Sequence, residues 1–144
     1  MYTNRINTGA FNAYKETRVK TASQARLIVM LYDEAIKQID AVIERFDAGA
    51  KPGDYDKING ALNKAQDIIG ELIASLDFEK GGDISQNLFN IYQFFNVEIT
   101  NANLAKEKKN LPQVRKLMHD LREAWNAIDV NRPDPKQEAV NIAG

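Results

Sequence analysis

The sequence predicts an all-α protein: an antiparallel up-down-up-down four-helix bundle with a short N-terminal segment or helix and a flexible C-terminal tail. Three observations carry this prediction. The four prolines, Pro52, Pro112, Pro133 and Pro135, all fall where they punctuate the chain. Between them apolar residues recur every three or four positions, and nothing alternates convincingly at period two. The connections are short against helices of about 20 to 26 residues, which favours antiparallel neighbours.

The first helix is predicted to start after Ser23, whose hydroxyl can cap the free N–H groups of a first turn, and to run to about Phe46. Ile28, Leu31, Tyr32, Ala35, Ile39, Val42, Ile43 and Phe46 share one side of it. Asp47 to Gly53 then reads as a loop, with Gly49 placed for a left-handed cap. Asp54 is the expected cap of the second helix, which carries Ile58, Ala61, Leu62, Ala65, Ile69, Leu72, Ile73 and Leu76 on one stripe. Gly60 lies opposite that stripe, so core packing does not account for it. Gly81-Gly82 breaks the chain. Asp83-Ile84-Ser85-Gln86 has the spacing of a capping box, and the third helix is expected to reach roughly Lys108. Asn110-Leu111-Pro112-Gln113 repeats that spacing, with proline in the first turn where its missing N–H does little harm. The fourth helix then presents Val114, Leu117, Met118, Leu121, Trp125 and Ile128 and ends near Asp129. The segment 1–22 admits a short helix through Phe11 and Tyr14, 23–129 is the bundle, and 130–144 reads as a flexible tail.

Composition narrows the functional classes. The chain has 144 residues, of which 44% are hydrophobic and 27% charged, ordinary values for one globular domain. A net charge of −1 gives no general electrostatic reason to bind nucleic acid or an anionic membrane. There is no cysteine, which excludes disulfides, thiolate catalysis and cysteine-based metal sites. The N-terminus has no apolar core of a secretory signal, and the longest apolar run, Leu27 to Tyr32, is far short of the ~20 residues of a membrane span. A cytoplasmic location is the expectation.

No enzymatic constellation emerges. His119 is the single histidine, and with Glu123 it makes at best a weak metal pair; the paired Glu-x-x-His pattern of di-iron bundles is missing. No Gly-rich phosphate-binding loop is present, and no base lies near Ser23, Ser75 or Ser85 in sequence. Lys106, Lys108, Lys109, Arg115, Lys116 and Arg122 form a modest positive corner, which reads as favourable charge near a helix C-terminus. We expect no catalytic residue, no metal and no cofactor.

The informative surplus is in the third helix. Ile84, Leu88, Ile91, Tyr92, Phe95, Ile99 and Ala102 make its core stripe. Phe89, Val97 and Leu104 point to nearly the opposite side, and Phe94 flanks them. In a monomeric bundle that side faces water. Covering such side chains contributes on the order of 1.5–3 kcal/mol each before association costs. A partner helix, a second copy of the chain, or the N-terminal segment with Tyr2, Ile6, Phe11, Tyr14 and Val19 are the candidate covers.

Several blocks, taken in order, resemble the flagellin-specific export chaperones, the FliS family. They are Ala13-Tyr14, Val19 to Ser23, Leu31 to Ile36, Lys64 to Ile69, and the most specific one, Leu76-Asp77-Phe78-Glu79-Lys80-Gly81-Gly82-Asp83-Ile84-Ser85-Gln86-Asn87-Leu88, then Ile91-Tyr92 and Leu121 to Trp125. The resemblance covers about residues 9 to 128. It departs from the pattern at Gln24, where proline is frequent, and at Phe11, where other members carry an aliphatic residue.

The resemblance implies a cytosolic, non-enzymatic bundle that binds the disordered C-terminal segment of flagellin as it becomes helical. Such binding covers the surface that drives filament assembly and assists delivery to the flagellar type III export gate. It implies that the segment around Phe11 and Tyr14 packs on the binding surface and shifts when cargo arrives. The expected partner-binding residues are Phe11, Tyr14, Phe89, Phe94, Val97 and Leu104, with Ile28, Ile69 and Trp125 supporting the bundle. Nucleic-acid binding and stable membrane insertion are not expected. The second reading is a self-associating scaffold whose surplus stripe closes a homodimer.

Overall fold

A computed structural model describes residues 23–131, and their architecture is four α-helices: α1 Gln24–Asp47, α2 Tyr55–Ala74, α3 Phe78–Ala105 and α4 Leu111–Asn131. A short 3-10 turn, Pro52–Asp54, precedes α2, and no strand occurs among the described residues. Phe11 and Tyr14, with the rest of 1–22 and 132–144, lie outside them.

Local chemistry sets the boundaries. The Ser23 hydroxyl accepts the Arg26 N–H at 3.0 Å and so caps α1 as expected. Gly49 takes a φ of 84° in the loop that follows, a conformation open to glycine and strained for other residues. Asp54 does not cap α2. Its carboxylate instead accepts the Lys51 backbone N–H at 3.0 Å and meets Arg45 at 3.3 Å, tying the α1–α2 loop to the end of α1.

The third helix departs further from expectation. It starts at Phe78, not after the glycines, because the Asp77 carboxylate accepts the N–H groups of both Glu79 and Lys80 at 3.0 Å. One helical turn follows, and Gly82, at φ 49° and ψ −120°, kinks it. No cap at Asp83 forms; Gln86 donates instead to Asn90 at 3.1 Å. The helix stops at Ala105, three residues short of Lys108, because Lys106 is left-handed with φ 53°. Among the described residues the fourth helix runs two residues beyond Asp129, to Asn131.

Polar pairs fix the register. Down α1 and up α4, ion pairs join Asp47 to Lys108 (2.6 Å), Asp40 to Arg115 (3.2 Å), Asp33 to Arg122 (2.8 Å) and Arg26 to Asp129 (3.7 Å). Successive rungs are seven residues apart on both chain segments, two turns of antiparallel helices packed at coiled-coil spacing. Across α2 and α3, Asn103 donates to Asn59 at 2.6 Å and Gln66 to Thr100 at 3.0 Å, again antiparallel.

The core beneath these seams is continuous. Tyr32, Ile39, Val42, Ile58, Leu62, Ile69, Leu72, Tyr92, Phe95, Ile99, Val114 and Met118 all belong to one buried cluster. Ile28 and Ile69 are buried in it as expected, and Trp125 packs half-buried against it. The α1–α2 and α1–α4 seams are closest, α2–α3 is looser, and α3–α4 is the thinnest.

Two expected core residues are exposed. Ile84 is 70% and Ile128 55% accessible. Ile84 lies past the end of a neighbour: α2 ends at Ala74 while Asn96 of α3 stands level with Gln66, so α3 overhangs α2 by about one turn at Ile84. Ile128 lies near the last turn of α4.

Candidate docking face

The face is built on the kinked start of α3. Besides its carboxylate caps, Asp77 offers its backbone carbonyl to the Gly81 N–H at 2.7 Å and to the Ser85 hydroxyl at 2.9 Å. Ser85 is the buried polar residue of the helix, and its Oγ fills the space beside Gly81: a Cβ there would lie 1.9 Å from it. Gly82 supplies the positive φ. Within this knot Asp77, Gly81, Gly82 and Ser85 thus each have a steric or hydrogen-bonding reason for their type. The knot also lays Phe78 edge-on against Phe89, with ring centroids 6.2 Å apart.

Beyond the kink, α3 anchors inward through aromatic rings. Phe95 is fully buried and tilted against both Tyr92 and Phe94, with centroids at 6.3 and 6.2 Å. The Tyr92 and Tyr32 hydroxyls hydrogen-bond at 2.7 Å inside the core and tie α3 to α1. Burial is the main reason the Tyr32 phenol ionises well above its ordinary range, reinforced by Tyr92; a bond from Trp125 works the other way. Burial likewise raises Tyr92, against the pull of its bond to Tyr32. These groups stay neutral and lock the helix phase.

That phase decides what faces out. Val97 is 55% and Leu104 80% exposed, seven residues apart on the outermost line of the helix. Phe89 and Phe94 are half-buried on its two flanks, Phe94 packed against the core. The structure therefore brings four of the six expected partner-binding residues onto one helix, with Phe11 and Tyr14 outside the described residues. Sequence reasoning did not single out Phe78, which is 47% exposed and adds a ring beside Phe89. The signal was its place just after a capping aspartate, at the start of an unrecognised helical turn.

The rest of the face is uncharged. From Ile84 to Ala105 the only ionisable carboxylate or base is Glu98, which is half-buried and accepts the Asn110 amide at 2.6 Å. Every exposed residue in that stretch is neutral: the amides Gln86, Asn87, Asn90, Gln93 and Asn101, together with Thr100, Ile84, Val97, Leu104 and Ala105. That is roughly 30 Å of helix. Ordinary surface helices carry their charges on this side, and α4 does so with Lys116, Asp120 and Glu123.

No reactive cluster competes with this face. Among the described residues no group of three or more His, Asp or Glu converges as a metal site, and no helix is long and apolar enough to cross a membrane.

Comparison with known proteins gives the family. The sequence pattern of the family described as Flagellar protein FliS matches residues 7–132, and the chain belongs to that family. It is similar to the flagellar secretion chaperone FliS of Salmonella typhimurium, with 35% identity covering 78% of this chain and 82% of the relative. The flagellar secretion chaperone FliS of Vibrio cholerae is 31% identical over 83% of this chain and 88% of its own. A solved bacterial flagellar chaperone shares the fold at a TM-score of 0.68 and 17% identity, covering 88% of this chain and 99% of that one.

Proposed function

We propose that this protein is a cytosolic flagellar export chaperone that binds the disordered C-terminal segment of flagellin, holds it back from premature polymerisation and assists its delivery to the flagellar type III export apparatus. Membership of a chaperone family supports the role. The single structural observation that supports a helical cargo is the uncharged outer face of α3 with Val97 and Leu104 at its crest. A segment that folds as it binds spends several kcal/mol on ordering, so it needs a long apolar contact of this kind. Neutral amides between the apolar residues can hydrogen-bond a partner without the desolvation cost of ions.

In this reading Val97 and Leu104 insert between cargo side chains, while Phe89, Phe94 and Phe78 wall the contact. Phe11 and Tyr14 belong to a displaceable cover over the same surface, and the cargo-loaded form is what the export gate meets. The test is calorimetric titration with a C-terminal peptide of the cognate flagellin, with circular dichroism of the mixture. Saturable binding is expected, with helix content above the sum of the parts. Leu104→Asp should weaken binding at least about tenfold at unchanged helicity, since the residue is exposed in the free protein. A folded protein that ignores soluble peptide would refute the proposal.

A further inference from the structure

The least secure seam of the bundle lies between the two helices that the chain joins directly. The fourth helix is held by α1 through three ion-pair rungs and a close apolar seam, yet its seam with α3 is the thinnest in the bundle. The connection between α3 and α4 is also the most strained in the described chain. Lys106 at φ 53° and Lys109 at φ 38° are its two left-handed non-glycine residues, three positions apart in one tight loop. An extended hinge would relax both.

We infer that α4 exchanges between two copies of this chain, docking on the α1 of the second copy and forming a swapped dimer. The three rungs carried by α4 are then remade between chains: Asp40 of one copy meets Arg115 of the other, Asp33 meets Arg122 and Arg26 meets Asp129. Closed and exchanged forms thus bury the same seam, and the hinge decides between them, a known route to exchange when a short connection is strained. Pro112 at the start of α4 prevents α3 and α4 from fusing into one helix, so the hinge opens as extended chain. The five residues Lys106 to Asn110 can then span at most roughly 17 Å, enough to carry α4 across to a neighbour.

The absence of natural cysteine makes the test clean. Single-cysteine chains, Asp40→Cys and Arg115→Cys, are mixed, unfolded together, refolded at high concentration and treated with a short bismaleimide. Exchange predicts a covalent heterodimer joined across the ladder. Pairing Lys57→Cys on α2 with Arg115→Cys should yield several-fold less of it. Placing Lys106→Gly and Lys109→Gly in both chains relaxes the closed loop and should lower the heterodimer by about fivefold or more. Lys106→Asn with Lys109→Asn should give an intermediate drop, and far-UV dichroism checks that both backgrounds fold. Heterodimer no more abundant than the control pair, or untouched by the glycines, would overturn the inference.

Discussion

The α1–α4 seam and the outer face of α3 are made of helices of similar length, yet they use opposite chemistry. Along the seam, charges flank a dry core and pair at every second turn. Along the outer face, charge is withheld and apolar side chains stand in water. The seam is finished; the face is not. A helix that only had to complete the bundle would carry lysines and glutamates at Val97 and Leu104, as α4 does on its own outer side. Neither the buried core nor the ion-pair rungs of the described bundle call for the neutrality of α3.

The sharpest way to break this comparison lies within α3 itself. Phe95 is fully buried among Tyr92, Phe94 and the core cluster, so Phe95→Ala should cost about 3–5 kcal/mol by urea unfolding. Val97→Ala and Leu104→Ala should change stability by about 0.5 kcal/mol or less, because neither side chain is covered. If the outer pair destabilises as much as Phe95, the face belongs to the fold and is not free for a partner.

Much of this was legible in the sequence, and the failures have a common cause. Periodicity placed Tyr92, Phe95 and Ile99 inward and Val97 and Leu104 outward, because helix phase is a local property. It misplaced Ile84, which has the right phase but sits where α2 has already ended, and Ile128, exposed near the last turn of α4. Relative helix lengths are tertiary facts. Caps misled in the same way: Asp83 and Asp54 had suitable spacing, but Asp77 and Lys51 won the hydrogen bonds once the loop was closed. The four rungs were spelled out as charges seven apart on two distant segments, yet only the antiparallel docking makes them pairs.

The buried phenols offer a second, smaller test of how α3 is held in phase. Tyr32→Phe removes the Tyr92 hydroxyl's partner in the core and should cost about 1–2 kcal/mol, Tyr92→Phe should cost less because Tyr32 keeps its bond from Trp125, and the double variant should cost less than the sum. Both phenols ionise higher in the folded chain than the ordinary value of 10.0. Above that pH the unfolded chain loses protons that the folded chain keeps, so stability falls as pH rises. Each tyrosine contributes up to about 1.4 kcal/mol per pH unit to this decline. Urea titrations between pH 9 and 11 should show it in the parent and lose most of it in the double variant.

The smallest effects belong to the rungs, and their arrangement matters more than their strength. Exposed pairs contribute about 0–1 kcal/mol each, so Asp40→Asn or Arg122→Gln should be barely measurable and weaker still in salt. Three rungs place the acid on α1, and the last, Arg26 with Asp129, is reversed. A shift of α4 by one heptad in one direction would set Asp33 opposite Asp129, and in the other Arg26 opposite Arg122. Either slip meets like charges, so the reversed rung disfavours both wrong registers at little cost to the right one. Arg26→Asp should therefore destabilise more than Arg26→Ala at low salt, and the exchange Arg26→Asp with Asp129→Arg should recover the difference. The recovered variant, with all four acids on α1, should then tolerate register slip that the parent rejects, read as broadened amide resonances along α4. Sharp, parent-like resonances there would mean that packing alone sets the register.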